Sequence, residues 1–321
     1  MVCRMKLSIV TINYNNVEGL KKTLDSVANQ VYREFEHIIV DGGSSDGSVP
    51  VIKSYEERII TNRVNNQTQY PLVSWVSEKD SGIYNAMNKG IEIASGKRVV
   101  DTFNRSELVE DKNKGYEESY VLMLNSGDYF VDEHVIERMM SELDGTDIVQ
   151  GNNIEERTNG IYRNRGYGKS DIDLFDIMKG HFLHQASFCR RDLFERYGYF
   201  DESYKMSADT KFFMTCLGQN DASFKYVDID VANYDMSGIS AERNGPWAKC
   251  HREELMRIRG EVFSGRMYAF MWENDKKVRL YNELHAHKWI WNVVMFMQHI
   301  NRKIYKYQID DIIEPIFDRK S

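Results

Sequence analysis

Short apolar runs alternate with amphipathic segments through the first part of the chain. Residues 7–12 (LSIVTI) form a β-branched run, which predicts a buried strand. Asn15 or Asn16 then caps a helix with Glu18 in its first turn and Leu20, Leu24 and Val27 at helical spacing. Residues 35–40 (FEHIIV) predict a second strand, closed by the loop-forming run Asp41-Gly42-Gly43-Ser44-Ser45-Asp46-Gly47-Ser48. A helix is expected from Val49. Residues 72–77 (LVSWVS) predict a third strand, and Ile83, Met87, Ile91 and Ala94 give a helical stripe after it. Residues 121–124 (VLML) predict a fourth, followed by Asn125-Ser126-Gly127-Asp128.

Strands and helices in strict alternation define an α/β fold with a mostly parallel sheet and crossover helices. Ligands of such sheets bind outside the carboxyl ends of the strands. The polar segments Thr11 to Tyr14, Asp41, Glu78 to Asp80 and Asn125 to Asp128 fall at those ends. They form the candidate site.

The second half is less regular. Residues 101–119, rich in Asp, Glu, Lys, Asn and Ser, read as a surface insertion. Residues 186–190 predict a strand, Asp192 to Tyr197 a short helix, and Ser207 or Asp209 the start of another helix through Phe213 and Leu217. A strand is expected near 223–227, a loop over 235–245, and mostly helix from Trp247.

Composition narrows the class. The chain has 321 residues and a net charge of −7, which argues against nucleic acid as a partner. Cys3, Cys189, Cys216 and Cys250 match no zinc spacing and read as free thiols of a reducing compartment. The N-terminus lacks a signal-peptide apolar region, so a cytoplasmic location is expected. Residues 289–300 (WIWNVVMFMQHI), flanked by Lys288, Arg302, Lys303 and Lys306, are too short to span a bilayer. They suit either a membrane interface, at the inner face of the membrane, or packing on the domain or a second subunit as a homo-oligomer.

No GxxxxGK[ST] loop and no GxGxxG after the first strand occur, so neither a P-loop nor a dinucleotide fold is indicated. A diphosphate would then be met by Mg²⁺ or Mn²⁺ on carboxylates. Asp128 either holds such an ion or caps the following helix. Asp41 either accepts from a base N–H or closes an Asx turn.

The order SIVTINYNN, IIVDGGSSDGS, SEKDSGIYNAMNKGI and MLNSGD resembles family 2 inverting glycosyltransferases of the GT-A fold, within them those that build bacterial surface polysaccharides. The resemblance covers residues 5–245, with 101–119 as a departure. It implies a GT-A domain over 1–245, with a nucleotide-binding half at 1–130 and an acceptor half at 131–245. A helical C-terminal extension follows at 246–321. It implies a nucleotide pocket from Thr11, Asn13, Tyr14, Asp41, Asp80, Asn125 and Ser126, and a divalent metal, Mn²⁺ or Mg²⁺, on Asp128. NSGD departs from the acidic metal motif by keeping only Asp128. The resemblance further implies Asp209 as catalytic base and His184 and Gln185 near donor sugar and acceptor. It also implies a lid over the diphosphate from the segment with Ser240, reaching it through Arg243, His251 and Arg252. The donor would be a nucleotide-diphosphate sugar, expected as UDP-linked from the aspartate's habit of meeting uracil, and the acceptor a saccharide or lipid-linked saccharide. A sugar-phosphate nucleotidyltransferase would want an early glycine-rich loop with Arg and Lys, which is missing. A non-catalytic nucleotide-sugar-binding protein is the remaining alternative.

Overall fold

The computed structural model describes residues 6–68, 71–100, 119–157, 160–236 and 245–263. The expected strands and helices of the first half are all present. β1 (Lys6–Asn13), β2 (Phe35–Asp41), β3 (Leu72–Ser77) and β4 (Ser119–Met123) alternate with α1 (Val17–Ala28), α2 (Ser48–Asn66) and α3 (Ile83–Ala94). The four strands are parallel neighbours in the order β3-β2-β1-β4. Asn16 caps α1 by accepting from the Gly19 amide at 3.1 Å.

The chain then adds β5 (Tyr129–Phe130), α4 (Val135–Glu142), β6 (Ile148–Arg157), β7 (Gly160–Asn164), α5 (Leu174–Lys179), β8 (Ser187–Arg190), α6 (Leu193–Arg196), α7 (Ala208–Met214), β9 (Phe224–Tyr234) and α8 (Pro246–Val262). The sheet continues as β4-β8-β6-β9-β5, with β7 paired to β6. β4–β8 and β8–β6 are antiparallel, whereas β6–β9 is parallel. The result is one mixed, mostly parallel sheet flanked by helices. The compact unit runs through Phe263. It therefore includes α8, which the sequence reading assigned to the C-terminal extension. The segment 289–300 and most of the insertion at 101–119 lie outside the described residues. No helix among the described residues is long and apolar enough to cross a membrane.

Two apolar layers hold the sheet. Leu20 and Leu24 of α1 and Ile52, Tyr55 and Ile59 of α2 pack on Ile39 and Val73. Burying each large aliphatic side chain contributes about 1.5–3 kcal/mol. Side chains alternate across a strand, so Val10, next to the Ile39 partner Thr11, faces the opposite side, where α3 lies close.

Thr11 belongs to this interior and not to a pocket. It is fully buried, donates its hydroxyl to the Leu124 carbonyl at 2.8 Å and lies 2.9 Å from His37 Nε2. With its one proton committed to Leu124, Thr11 must accept from His37, so Nδ1 of that ring accepts the Tyr55 hydroxyl at 2.8 Å. Burial pulls the His37 pKa down to about 3, which keeps the ring neutral. The expected contact of Thr11 with a nucleotide is thus corrected to a structural one.

Candidate active site

The ends of β1, β2 and β4 converge as expected, but the carboxylate of Asp41 turns inward. Asp41 Oδ1 accepts from Asn13 Nδ2 at 2.8 Å and Ser44 Oγ at 2.6 Å. Its Oδ2 accepts from the Ser44 amide at 2.9 Å and Ser77 Oγ at 2.6 Å. Burial opposes the charge, yet donation from Ser44, Ser77 and Asn13 outweighs it and holds the pKa below the usual carboxylate range. Asp41 therefore ties the loop to three strand ends, and these four bonds saturate the lone pairs that the sequence reading reserved for a base.

Of the residues expected in the nucleotide pocket, Tyr14 and Asp80 stand on either side of Gly42. Tyr14 is 67% exposed. A side chain at Gly42 would place its Cβ 2.6 Å from Asp80 Oδ2 and 3.1 Å from the Tyr14 ring. The ring and the carboxylate thus flank a bare stretch of backbone, which lets a planar ligand approach. Asp80 Oδ1 accepts from the Gly82 amide at 3.0 Å, which leaves Oδ2 beside Gly42.

The loop after β4 is strapped to β1 and α1. Ser126 donates its hydroxyl to Asn13 Oδ1 at 2.8 Å, and Asn16 Nδ2 donates to the Ser126 carbonyl at 3.1 Å. Thr23 Oγ1 accepts from the Gly127 amide at 3.0 Å and donates to the Asp128 carbonyl at 2.7 Å. Asp128 is followed by β5, so it caps no helix. Its side chain is 3% exposed, and Oδ1 accepts from the Asp235 amide at 2.8 Å. Burial, reinforced by the charge of Asp235, pushes its pKa up to about 7. Gly127 has φ +107°, and a Cβ there would lie 2.4 Å from Asp235 Oδ2. The bare glycine leaves room for the Asp235 carboxylate, whose charge is felt by Asp128. Asp235, at the end of β9, was missed by the sequence reading because DMSG has loop composition.

Asp209 sits in the first turn of α7 with both oxygens engaged. Tyr84 donates its hydroxyl to Oδ1 at 3.0 Å, and His184 Nδ1 lies 2.9 Å from Oδ2. Burial works against both charges. The mutual attraction prevails, so the Asp209 pKa falls and that of His184 rises. Burial alone would raise the pKa of Asp209, and the ion pair reverses that sign. His184 Nε2 is 3.3 Å from Asn125 Nδ2, which links the Asp209 pair to the loop of Asp128. Gln185 hydrogen-bonds Asp128 and accepts from Asn153 Nδ2 at 3.2 Å.

The groups around Asp128 and Asp209 line one cavity of about 650 Å³, the size of a small-molecule site, whereas Asn13, Tyr14, Asp41 and Asp80 are not part of its lining. Asn125, Ser126, Asp128, Asp235, His184, Gln185, Asp209 and Tyr84 border it, with Asn153, Glu155, Lys205 and His251. The expected residue Arg252 is exposed on α8 and does not line the cavity. Ser240 and Arg243 lie outside the described residues. The missed residues Asn153 and Glu155 come from β6, whose polar inward face hides its strand pattern.

The residues present fit a divalent ion shared with a ligand. Among the described residues, no group of three or more His, Cys, Asp or Glu is arranged to hold a metal ion. Mg²⁺ and Mn²⁺ bound with phosphates need only one or two protein carboxylates, and Asp128 with Asp235 supplies two. Charge on Asp128 is costly in its buried place, and a cation would relieve that cost.

The mixed, mostly parallel sheet flanked by helices, with a carboxylate-lined cavity outside its strand ends, is an α/β fold of the GT-A type. The family model for glycosyl transferase family 2 matches residues 8–198, and the chain belongs to that family. It is a glycosyltransferase. It is 27% identical over 238 residues to a PGL/p-HBAD biosynthesis glycosyltransferase of Mycobacterium bovis, covering 72% of this chain and 77% of that protein. It is 28% identical over 242 residues to an uncharacterized glycosyltransferase of Mycobacterium tuberculosis, covering 74% and 78%. Among solved structures, Staphylococcus aureus TarS 1–349 in complex with UDP-GlcNAc superposes with a TM-score of 0.55 at 18% identity, covering 81% of this chain and 67% of that one. The chain spans 40% of a longer TarS structure. The likeness to TarS is one of fold.

Proposed function

We propose that this enzyme transfers a hexose from a UDP-sugar to a saccharide or lipid-linked saccharide, with inversion at the anomeric carbon. The observation that carries this reading is the placement of Asp209, held as a carboxylate by His184 and Tyr84, across one cavity from Asp128 and Asp235. Tyr14 and Asp80 would hold the base, by stacking and by accepting an N–H. Asn13 and Ser126 brace the loops beneath the nucleotide. A divalent ion on Asp128 and Asp235 would supply charge to the leaving diphosphate. Asp209 takes the proton of the acceptor hydroxyl as its oxygen attacks C1. The C1–O bond to the diphosphate breaks on the opposite face, and the nucleoside diphosphate leaves. Asn153 borders the cavity with Oδ1 buried and unpaired, and it would accept from a sugar hydroxyl.

A role in surface-glycan synthesis at the cytoplasmic face of the membrane is supported by the resemblance in motif order and by the name of the Mycobacterium bovis relative. Membrane or partner contact by the apolar segment 289–300, a lid with Ser240, Arg243 and His251, and self-association remain parts of this reading. UDP-, GDP- and dTDP-hexoses, incubated with the enzyme and Mn²⁺ or Mg²⁺, are expected to release nucleoside diphosphate, fastest from a UDP-sugar. No release above the rate without enzyme from any donor would sink the reading.

A further inference from the structure

The first turn of α3 lies between the loop of Asp80 and residues 200–209, and its Ile83 and Tyr84 line the cavity. It begins where the nucleotide loop ends, since Asp80 Oδ1 accepts from the Gly82 amide immediately before the helix. From there, side chains cross to residues 200–209. Tyr84 donates to Asp209 at 3.0 Å. Asn85 Nδ2 donates to both oxygens of Glu202 at 3.1 and 3.2 Å. Asn88 donates to the Phe200 carbonyl at 2.9 Å and accepts from its amide at 3.0 Å.

We propose that Tyr84 is a positioning residue for the base, which fixes the plane of the Asp209 carboxylate and ties it to the nucleotide loop through the first turn of α3. This inference rests on the reading of Asp209 as the base.

A carboxylate held at one oxygen can swing about its terminal torsion, which is soft. His184 holds only Oδ2. The Tyr84 hydroxyl on Oδ1 stops the swing, so the free lone pairs keep one direction for an acceptor. Tyr84 is 4% exposed, with its ring 5.8 Å from that of Phe200. Burial first, then the charge of Asp209, raises its pKa well above the usual phenol value. It therefore stays a donor and cannot itself take the acceptor's proton. Asp209 also meets the Thr210 amide of α7, and His251 of α8 feels its charge. Asp128 acts on His184 from the far side.

The ordered contact also gives the pH dependence a sign. Donation from Tyr84 favours the charged form of Asp209, so its loss raises the Asp209 pKa. A base works only when deprotonated, so activity would then fade at a higher pH on the acid side.

The test uses the full chain and the most rapidly turned-over donor among UDP-, GDP- and dTDP-hexoses. Tyr84→Phe keeps the ring and is expected to lower kcat about tenfold to a hundredfold. KM for the donor and the affinity for UDP stay those of the wild type, and the acid limb of kcat moves to higher pH. Incorporation of 3-fluorotyrosine at position 84 keeps the hydroxyl but makes it a stronger donor, and moves the acid limb the other way. Wild-type kcat and limb in both variants, with Asp209→Asn inactive, would overturn the role of Tyr84 alone. An active Asp209→Asn would overturn the reading of Asp209 and this inference with it.

Discussion

Asp209→Asn is expected to reduce sugar transfer by about 10²- to 10⁴-fold, the range a positioned general base contributes, while UDP binds as tightly as to the wild type. Asparagine fills the same space, and its Oδ1 still accepts the Tyr84 hydroxyl found at 3.0 Å. What it lacks is the ability to take a proton. Tyr14 and Asp80, proposed to hold the base, lie past the ends of β1 and β3, away from this exchange. Neutralising position 209 also removes the partner that raises the His184 pKa. The variant is therefore checked by UDP calorimetry beside steady-state transfer. Turnover near the wild-type rate would show that another group takes the proton.

Asp128→Asn is expected to abolish the gain in UDP affinity that Mn²⁺ confers on the wild type. The fold should survive. Burial already brings the Asp128 pKa to about 7, so the protein accommodates a neutral side chain there, and Asn Oδ1 can still accept from the Asp235 amide. The lost charge is another matter. With Asp235 left as the carboxylate beside Gly127, metal affinity should fall about a hundredfold or more, since even outer partners of a ligand are worth 10–100-fold. Titrations of UDP with Mn²⁺ and with EDTA make the comparison. An undiminished response to Mn²⁺ in the variant would remove Asp128 from the metal site.

The two halves of the molecule differ in how far the sequence discloses them. β1, β2, β3 and β4 are covered on both faces, so each appears as an apolar run closed by polar residues. β6 is a strand of the same sheet, but its inward residues Gln150, Asn152, Asn153 and Glu155 are polar and buried. Register shifts between Gln150 and Asn153 break its alternation further. The departure from pattern falls where the strand lines the cavity, as expected of residues kept for a ligand. Asp41, Asp80 and Asp128 do lie at or just past the ends of β2, β3 and β4. Strand-end position could not tell which carboxylates turn inward, since Asp41 and Asp80 look alike in sequence until Ser44 and Ser77 close on the first. The pairing of His184 with Asp209 joins residues far apart in the chain, so only the fold shows that the charge on the base is fixed by a histidine. Asp235 reaches Asp128 in the same way, through the end of β9.

The role of Asp209 is tested most directly by the configuration of the transferred sugar, followed by proton NMR from an α-linked nucleotide donor before the product equilibrates. A base that activates the acceptor for a single displacement predicts a β-linked first product. An α-linked first product would contradict it.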